Sequence, residues 1–399
     1  MSDAGTGVDG SMSARLGRLA EYHRKQSGVS ATSAYQAPGR VNLLGEHTDY
    51  SGGFCMPAAL NFNMLVTASP RADGRLRLHS LDLQETMEFD LKDLKHPPKG
   101  HWSAYCAGVA WSLRESGIEV QGAELSLSGD VPLGSGLSSS ASIEVATATA
   151  LLALSDASMP KAQLALACQR AENDYVGAPC GIMDQFISVS GVRGNALAID
   201  TRALTAELAP LPDDLRLIVC NSLVRHSNDD GKYGARRREV EEAAHALGLL
   251  NPEIHQLRDA TLADLQARRG AMSQEAFLRA RHVISDSQRV IDGLACLRAG
   301  DQRGFGVLMT EAHISFRDDF AASCDQCDLL VRLALELEGC LGSRLTGGGF
   351  GGCTVSLVDV RSAESFSAAL QEQFRLATGV TPPVFVCEIA DGAGSVSMP

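Results

Sequence analysis

The stretch PLGSGLSSSASIEVATATA, Pro132 to Ala150, constrains this chain more than any other. Just before it, Leu125 and Leu127 alternate with Ser126 and Ser128, the period of a half-buried strand. Gly134 and Gly136, one residue apart, and the serine run Ser138 to Ser140 then lead into Ile143, Ala146, Ala150, Leu151 and Leu154, which share one helix face. Strand, glycine turn and helix start in that order imply a sheet with a helix folded back over it. They also make an anion cradle, because glycine admits close backbone approach and a helix N-terminus attracts phosphate. The alternative is an ordinary turn in which Ser138 caps the helix. The loop is not a Walker A sequence, since no lysine follows the second glycine, and no HRD-like or DFG-like segment of a protein kinase appears later.

Charge sharpens the point about anions. The 399 residues carry 35 basic and 48 acidic side chains, a formal net charge of −13. That balance argues against nucleic acid and against acidic membrane surfaces as partners. An anionic ligand would have to be held locally, by backbone amides, a metal or a few cations. The length suggests two or three domains, and 45% hydrophobic with 21% charged residues suits a soluble globular chain. No signal-like segment opens it and nowhere do eighteen apolar residues run together, so a cytoplasmic protein is expected. Eleven scattered cysteines read as free thiols, and the one CxxC, Cys324 and Cys327, is a weak zinc or redox signal.

Residues 1 to 15, rich in Gly, Ser and Asp, read as a flexible tail, with a short amphipathic helix over 16 to 27. The densest polar constellation follows in APGRVNLLGEHTDYSGGFCMPAAL, Ala37 to Leu60. Arg40, Glu46, His47 and Asp49 lie within ten residues there, between glycines. Carboxylates accept from neutral hydroxyls, so Glu46 and Asp49 suit a sugar or polyol. The alternative is a solvated loop whose charges pair with each other.

Strands are expected between Met64 and Leu91 and again over Leu215 to Asn221, and helices over Trp102 to Leu113 and Lys161 to Tyr175. Trp102 either packs in the core, the favoured reading, or stacks on a base. Pro179 and Gly181 break the chain after the second helix, and Asp184 follows among Ile182, Met183, Phe186 and Ile187. A carboxylate so placed is either a base with a raised pKa or an arginine's partner. With Glu172 twelve residues earlier, it offers one metal ligand and one base near one bend. Tyr233 sits in a polar turn before a charged helix, where Arg236 to Arg238 are answered by glutamates. Residues 274 to 340 read as mostly helical. Gly347, Gly349 and Gly352 form a GxGxxG, but a strand follows rather than a helix, so a dinucleotide fold is rejected.

GRVNLLGEHTDYSGG, PLGSGLSSSAS and LTGGGFGGC, in that order, resemble the three motifs of the GHMP small-molecule kinases. The full HTDY extension of the first, with CGIMDQF, RHVISDSQR and HISFRDDF, is similar to the galactokinase branch of that family. The resemblance covers nearly all of the chain beyond its tail. It implies an α+β, two-domain fold, residues 16–200 and 201–399, with the active site in the cleft between domains. It implies ATP-dependent phosphorylation of the anomeric hydroxyl of galactose, by an enzyme expected to be monomeric. Gly134, Ser135, Gly136, Leu137, Ser138, Ser139 and Ser140 would hold the ATP phosphates, with Trp102 by the adenine. Asp184 and Arg40 would act at the transfer centre. Glu46, His47, Asp49, Gly181 and Tyr233 would line the sugar pocket, bordered by Gly347 to Gly349, and Ser140 and Glu172 would hold Mg2+.

Two positions depart from the branch's pattern: Ser51 and Gly234 stand where it usually has Asn, and the segment after His226 is unusually acidic. These bear on sugar preference, so N-acetylgalactosamine and arabinose remain rival substrates. A catalytically silent galactose sensor is the rival of another class. The yeast sensor paralogue lacks the Ser-Ala dipeptide that this chain keeps at Ser140-Ala141, which favours an enzyme.

Overall fold

The computed structural model describes residues 11–132, 134–224 and 231–398. The N-terminal strands are β1 (Ser33–Asn42), β2 (Phe54–Cys55), β3 (Pro57–Arg71), β4 (Arg75–Ser80), β5 (Glu85–Asp90) and β6 (Gly122–Gly129). Then come β7 (Asn195–Asp200), β8 (Thr205–Pro210), β9 (Leu215–Asn221), β10 (Cys340–Thr346), β11 (Cys353–Asp359), β12 (Val384–Cys387) and β13 (Gly394–Val396). They form a six-stranded sheet in the order β13-β1-β3-β6-β4-β5, a four-stranded sheet β10-β11-β9-β12, and a three-stranded sheet β2-β7-β8. Among these pairings only β4 with β6 is parallel.

Helix α1 runs from Met12 to Ser27, begun by the Ser11 hydroxyl, which accepts from the Ala14 N–H, and ended by Gly28 at φ +79°. The tail expected over residues 1–15 is therefore too long, and its first ten residues lie outside the described ones. Arg15 is the reason: its guanidinium is buried in an ion pair with Asp130 and donates to the Asn63 carbonyl at 3.2 Å. A charged residue in a polar run reads as solvent-facing until its partner, far along the chain, is known.

Helices α2 (Ser103–Glu115), α3 (Ser139–Leu154), α4 (Lys161–Arg170) and α5 (Met183–Ser190) cover one face of the six-stranded sheet. The helix expected to Tyr175 stays α-helical to Arg170 and widens into a π-turn over Ala171–Val176. Helix α3 lies on β1 and β3 between α2 and α5. Every residue from Ala141 to Leu152 is buried except Thr149, so a single apolar face is too narrow a description. Its Ala, Ser and Thr side chains let the backbone approach on all sides, and the buried Ser142 hydroxyl donates to the Ala37 carbonyl at 2.7 Å.

Helices α6 (Lys232–Gly248), α7 (Leu262–Ala267), α8 (Gln274–Ala299), α9 (Gln302–Asp318) and α10 (Asp325–Glu336) follow, and α11 (Ala363–Thr378) packs with α10 on the four-stranded sheet. A cut between residues 200 and 201 passes through the tight β7–β8 hairpin, and β13 returns to pair with β1. The two expected halves therefore share strands, because the last strand completes the first sheet rather than the second. The acidic segment after His226 lies largely outside the described residues.

Candidate active site

Strand β1 is the platform. The Arg40 N–H donates to the Leu137 carbonyl at 3.0 Å, which docks the serine loop on the strand. Gly39 makes that approach possible, since a Cβ there would stand 2.6 Å from the same carbonyl oxygen. Arg40 Nη1 then donates to the Gly136 carbonyl at 2.5 Å. Beyond the loop, α3 begins at Ser139, and the first N–H groups of a helix have no intrahelical carbonyl to meet. The loop from which the sequence predicts a cradle, Gly134 to Ser140, thus lies between β1 and α3.

Ser138 occupies the N-cap position but does not cap. It sits at φ +60° and its hydroxyl donates to Asp184 Oδ2 instead. Asp184 lies in the first turn of α5, and its carboxylate is gripped from the other side by Arg40. Arg40 Nε donates to Oδ1 at 2.8 Å and Nη2 to Oδ2 at 2.6 Å. The Arg40 side chain is 6% exposed and that of Asp184 25%. A bidentate, charge-assisted pair of this kind fixes orientation as well as position. Of the two roles open to Asp184 in the sequence, arginine's partner is the one the structure draws, and the remaining exposure leaves the carboxylate reachable. The apolar neighbours Met183, Phe186 and Ile187 face the core.

A second wall is assembled by the turn after β1. Asp49 Oδ2 accepts from the Met183 N–H at 3.2 Å and Oδ1 from the Tyr50 N–H at 3.0 Å. Gly181 is pressed against it, and a Cβ there would lie 1.7 Å from Asp49 Oδ2. Burial pushes the Asp49 carboxyl above its ordinary range. His47, at φ +58°, is enclosed by Phe320, Tyr233 and Phe316, with ring centroids 4.4, 5.0 and 5.7 Å away. Its Nε2 lies 3.2 Å from the Gly348 carbonyl and its Nδ1 2.9 Å from the Tyr50 hydroxyl. A carbonyl only accepts, so Nε2 carries the proton and Nδ1 accepts from Tyr50. Burial depresses the ring's pKa to about 3. Both nitrogens are spoken for, so His47 joins Tyr50 and Tyr233 to the glycine turn. Tyr233 stands in the first turn of α6 rather than in a free loop.

Glu46 is 2% exposed, accepts from the Gly347 N–H at 2.8 Å and lies 3.6 Å from the buried Arg344 guanidinium. Burial raises its pKa to about 7, against the pull of Arg344 and Arg40. Between its ordinary value of 4.5 and about 7, the folded state keeps a proton that the unfolded chain has lost, so rising pH costs the fold stability there. Glu46→Gln keeps an acceptor for Gly347 and does not titrate. In calorimetry without sugar, its stability relative to the parent should climb by a few kcal/mol at most between about pH 5 and about pH 8. A difference independent of pH would show that Glu46 does not titrate in that window.

The third group lies behind the serine loop. Glu172, in the π-turn, interacts with the Ser140 hydroxyl and accepts from Cys180 Sγ at 3.4 Å. Gln185 Nε2 donates to Glu172 Oε2 at 2.6 Å and to Glu144 Oε2 at 3.1 Å. Burial, then Asp184, raises the Glu172 carboxyl to about 7. Glu144 is wholly buried, and burial followed by Glu172 holds its carboxyl well above the usual range. Trp102 is the N-cap residue before α2, half-buried, with its indole N–H donating to Glu85 at 2.8 Å and its ring beside His101. That is closer to the packing reading than to an open stacking face.

Several contributors escape the sequence reading. Asp286 Oδ2 accepts from the Gly45 and Glu46 N–H groups at 3.0 and 2.9 Å, and His282 bonds to the Glu46 carbonyl at 3.2 Å, so α8 sets the turn that carries Glu46 and His47. Gln185 and Glu144 were missed too. A lone acid inside an otherwise apolar helix was the available signal for Glu144, and the likeness of HISFRDDF to the family was the one for Phe316 and Phe320.

Comparison with known proteins bears on the family. Residues 21–70 match the galactokinase galactose-binding signature, 104–192 the GHMP kinases N terminal domain and 294–376 the GHMP kinases C terminal domain. A galactokinase of Roseiflexus sp. (strain RS-1) is 42% identical over 380 residues, 95% of this chain and 97% of that protein. The Homo sapiens galactokinase is 43% identical over 378 residues, covering 93% and 94%. The crystal structure of Lactococcus lactis galactokinase complexed with galactose superposes with a TM-score of 0.92 at 30% identity, over 96% of this chain and all of that one. A mevalonate kinase structure, at 18% identity and a TM-score of 0.62, shares the fold.

Proposed function

We propose that this chain, which belongs to the galactokinase family of the GHMP kinases, transfers the terminal phosphoryl group of ATP to the anomeric hydroxyl of α-D-galactose, giving galactose 1-phosphate and ADP. One observation carries the reading. Asp184 is locked by Arg40 and Ser138 at the lip of the serine loop, while Arg40 also holds the Gly136 carbonyl of that loop. The residue poised to receive a proton is thereby tied to the residues poised to receive phosphate.

The chemistry asks a neutral hydroxyl to attack an anionic phosphorus centre. Asp184 accepts the anomeric proton, a contribution of about 10²–10⁴-fold. Arg40 orients that carboxylate and offsets charge gathering on the transferred group, and the amides at the start of α3 hold the phosphate oxygens. Glu46 and Asp49 accept from sugar hydroxyls, with Gly181 leaving room beside Asp49. His47 and Tyr233 shape the wall by packing, and Trp102 would border the base.

Mg2+ would be held by the Ser140 hydroxyl and the Glu172 carboxylate, hard oxygen donors of the kind this ion prefers, and would neutralise phosphate charge. Buried Glu172 and Glu144 share the Gln185 amide, with Asp184 acting on both, an acidic setting that a cation would relieve. Gln185→Leu removes the amide joining Glu172 to Glu144. The Mg2+ concentration for half-maximal ADP release should then rise about 10–100-fold; an unchanged Mg2+ dependence would remove Gln185 from that role.

The enzyme is read as monomeric and cytoplasmic; among the described residues no helix is long and apolar enough to cross a membrane. ADP release measured across galactose, talose, arabinose and N-acetylgalactosamine tests the function. Galactose should be turned over most efficiently. Release with N-acetylgalactosamine or arabinose alone would reassign the substrate, and sugar binding without any ADP release would make the chain a sensor.

A further inference from the structure

The CxxC noted in the sequence takes no part in phosphoryl transfer, and its surroundings are unlike those of the other cysteines. Cys324 is the N-cap residue of α10, extended at φ −147°, and Cys327 is the third residue of the helix. Three residues of helix rise about 4.5 Å, compatible with the roughly 4.4–6.8 Å that a disulfide spans between Cα atoms. The Cys327 thiol and the first backbone N–H groups of the helix lie near the Cys324 sulfur and favour its thiolate. Cys324 is half-buried and Cys327 buried.

The turn is held from several sides. The Asp328 N–H donates to the Cys324 carbonyl at 2.9 Å, the Ala322 N–H to the Phe316 carbonyl at 3.2 Å, and the Phe350 N–H to the Ala322 carbonyl at 2.6 Å. Asp328 also accepts from the Ser323 hydroxyl at 2.5 Å. The backbone that carries the two cysteines is therefore held in place.

We propose that Cys324 and Cys327 form a thiol–disulfide exchange site for low-molecular-weight disulfides, with Cys324 the attacking and Cys327 the resolving thiol. The Cys324 thiolate attacks one sulfur of the external disulfide, joins it and expels the other half as a thiolate. Cys327 gives up its proton to that thiolate and attacks Cys324 sulfur, forming the internal disulfide and expelling the second half, which takes a proton from solvent to replace the one Cys324 had lost. Two protein thiols are oxidised and one external disulfide is reduced to two thiols. The Cys327 bond and the helix-start amides lower the Cys324 thiol to about 7, against its partial burial. The other ten thiols are all pushed up, nine by burial and Cys327 by its bond to Cys324. Half-buried Cys296, Cys340 and Cys180 are thus internal controls of similar access.

The test uses the full chain. It is incubated with oxidised glutathione, the remaining thiols are blocked with N-ethylmaleimide, and the peptide holding residues 324–327 is read by mass spectrometry. The parent should yield that peptide unblocked and two hydrogens lighter. Cys327→Ser, or Cys327→Ala if the serine variant folds poorly, should retain glutathione on Cys324, and Cys324→Ser should form neither product. Separately, iodoacetamide at about pH 7 should alkylate Cys324 at least about tenfold faster than Cys296, following thiolate fraction. The proposal is overturned if the parent peptide is fully blocked by N-ethylmaleimide, if glutathione persists on Cys324 in the parent, or if Cys324 and Cys296 react at equal rates.

Discussion

Asp184→Asn is expected to lower kcat by about 10²–10⁴-fold while galactose still binds. The amide cannot take the anomeric proton, yet it has nearly the shape of the carboxylate. Its oxygen can still accept from Arg40, and its nitrogen meets a second guanidinium N–H that it cannot satisfy. One of the two Arg40 bonds and the Ser138 bond are therefore weakened, although the backbone of α5 stays where the Phe186 N–H to Ile182 carbonyl bond puts it. Galactose affinity, measured by calorimetric titration, should stay within several-fold of the parent because the Glu46 and Asp49 wall is untouched. Normal turnover in this variant would reject Asp184 as the base. Turnover and galactose binding lost together would make it a structural strut instead.

Gly181→Ala is the second large effect, and it should act on binding more than on chemistry. The new methyl would overlap the Asp49 carboxylate, with the Oδ2, Cγ and Oδ1 atoms 1.7, 2.1 and 2.4 Å from it. Asp49 is anchored by the Met183 and Tyr50 N–H groups, so it moves only by giving up bonds that hold a buried carboxyl. Losing one such charge-assisted bond is worth about 1.5–3 kcal/mol, which predicts a rise in galactose KM of roughly 10–150-fold. The KM for ATP should change much less, since the serine loop sits on Gly39 and Arg40. A galactose KM within twofold of the parent would show that Asp49 does not touch the sugar.

Much of this site was legible beforehand where the physics is local. The serine loop could be read because glycines, hydroxyls and a helix start are neighbours in sequence, and the strand after Gly352 could be read from its alternation. The HTDY turn announced itself by the density of its polar residues. What failed was long-range pairing. Arg15 looked like part of a tail because Asp130, its partner, lies at the end of β6. The alternative of Ser138 as a helix cap fails because its hydroxyl meets a carboxylate in α5, which nothing local announces. The support that Asp286 and His282 give to the Glu46 turn was equally hidden, since it is supplied by α8. Helix α3 was read as one-faced, because burial on every side by sheet and helices together leaves no periodic signature.

The most direct measurement of the central claim is the identity of the product. The chain is incubated with galactose, ATP and Mg2+, and the sugar phosphate is examined by phosphorus–proton coupling in NMR. Asp184 and Arg40 beside the serine loop predict phosphate on the anomeric oxygen of the α-sugar. Phosphate on any other hydroxyl, or galactose recovered unchanged beside intact ATP, would contradict that account.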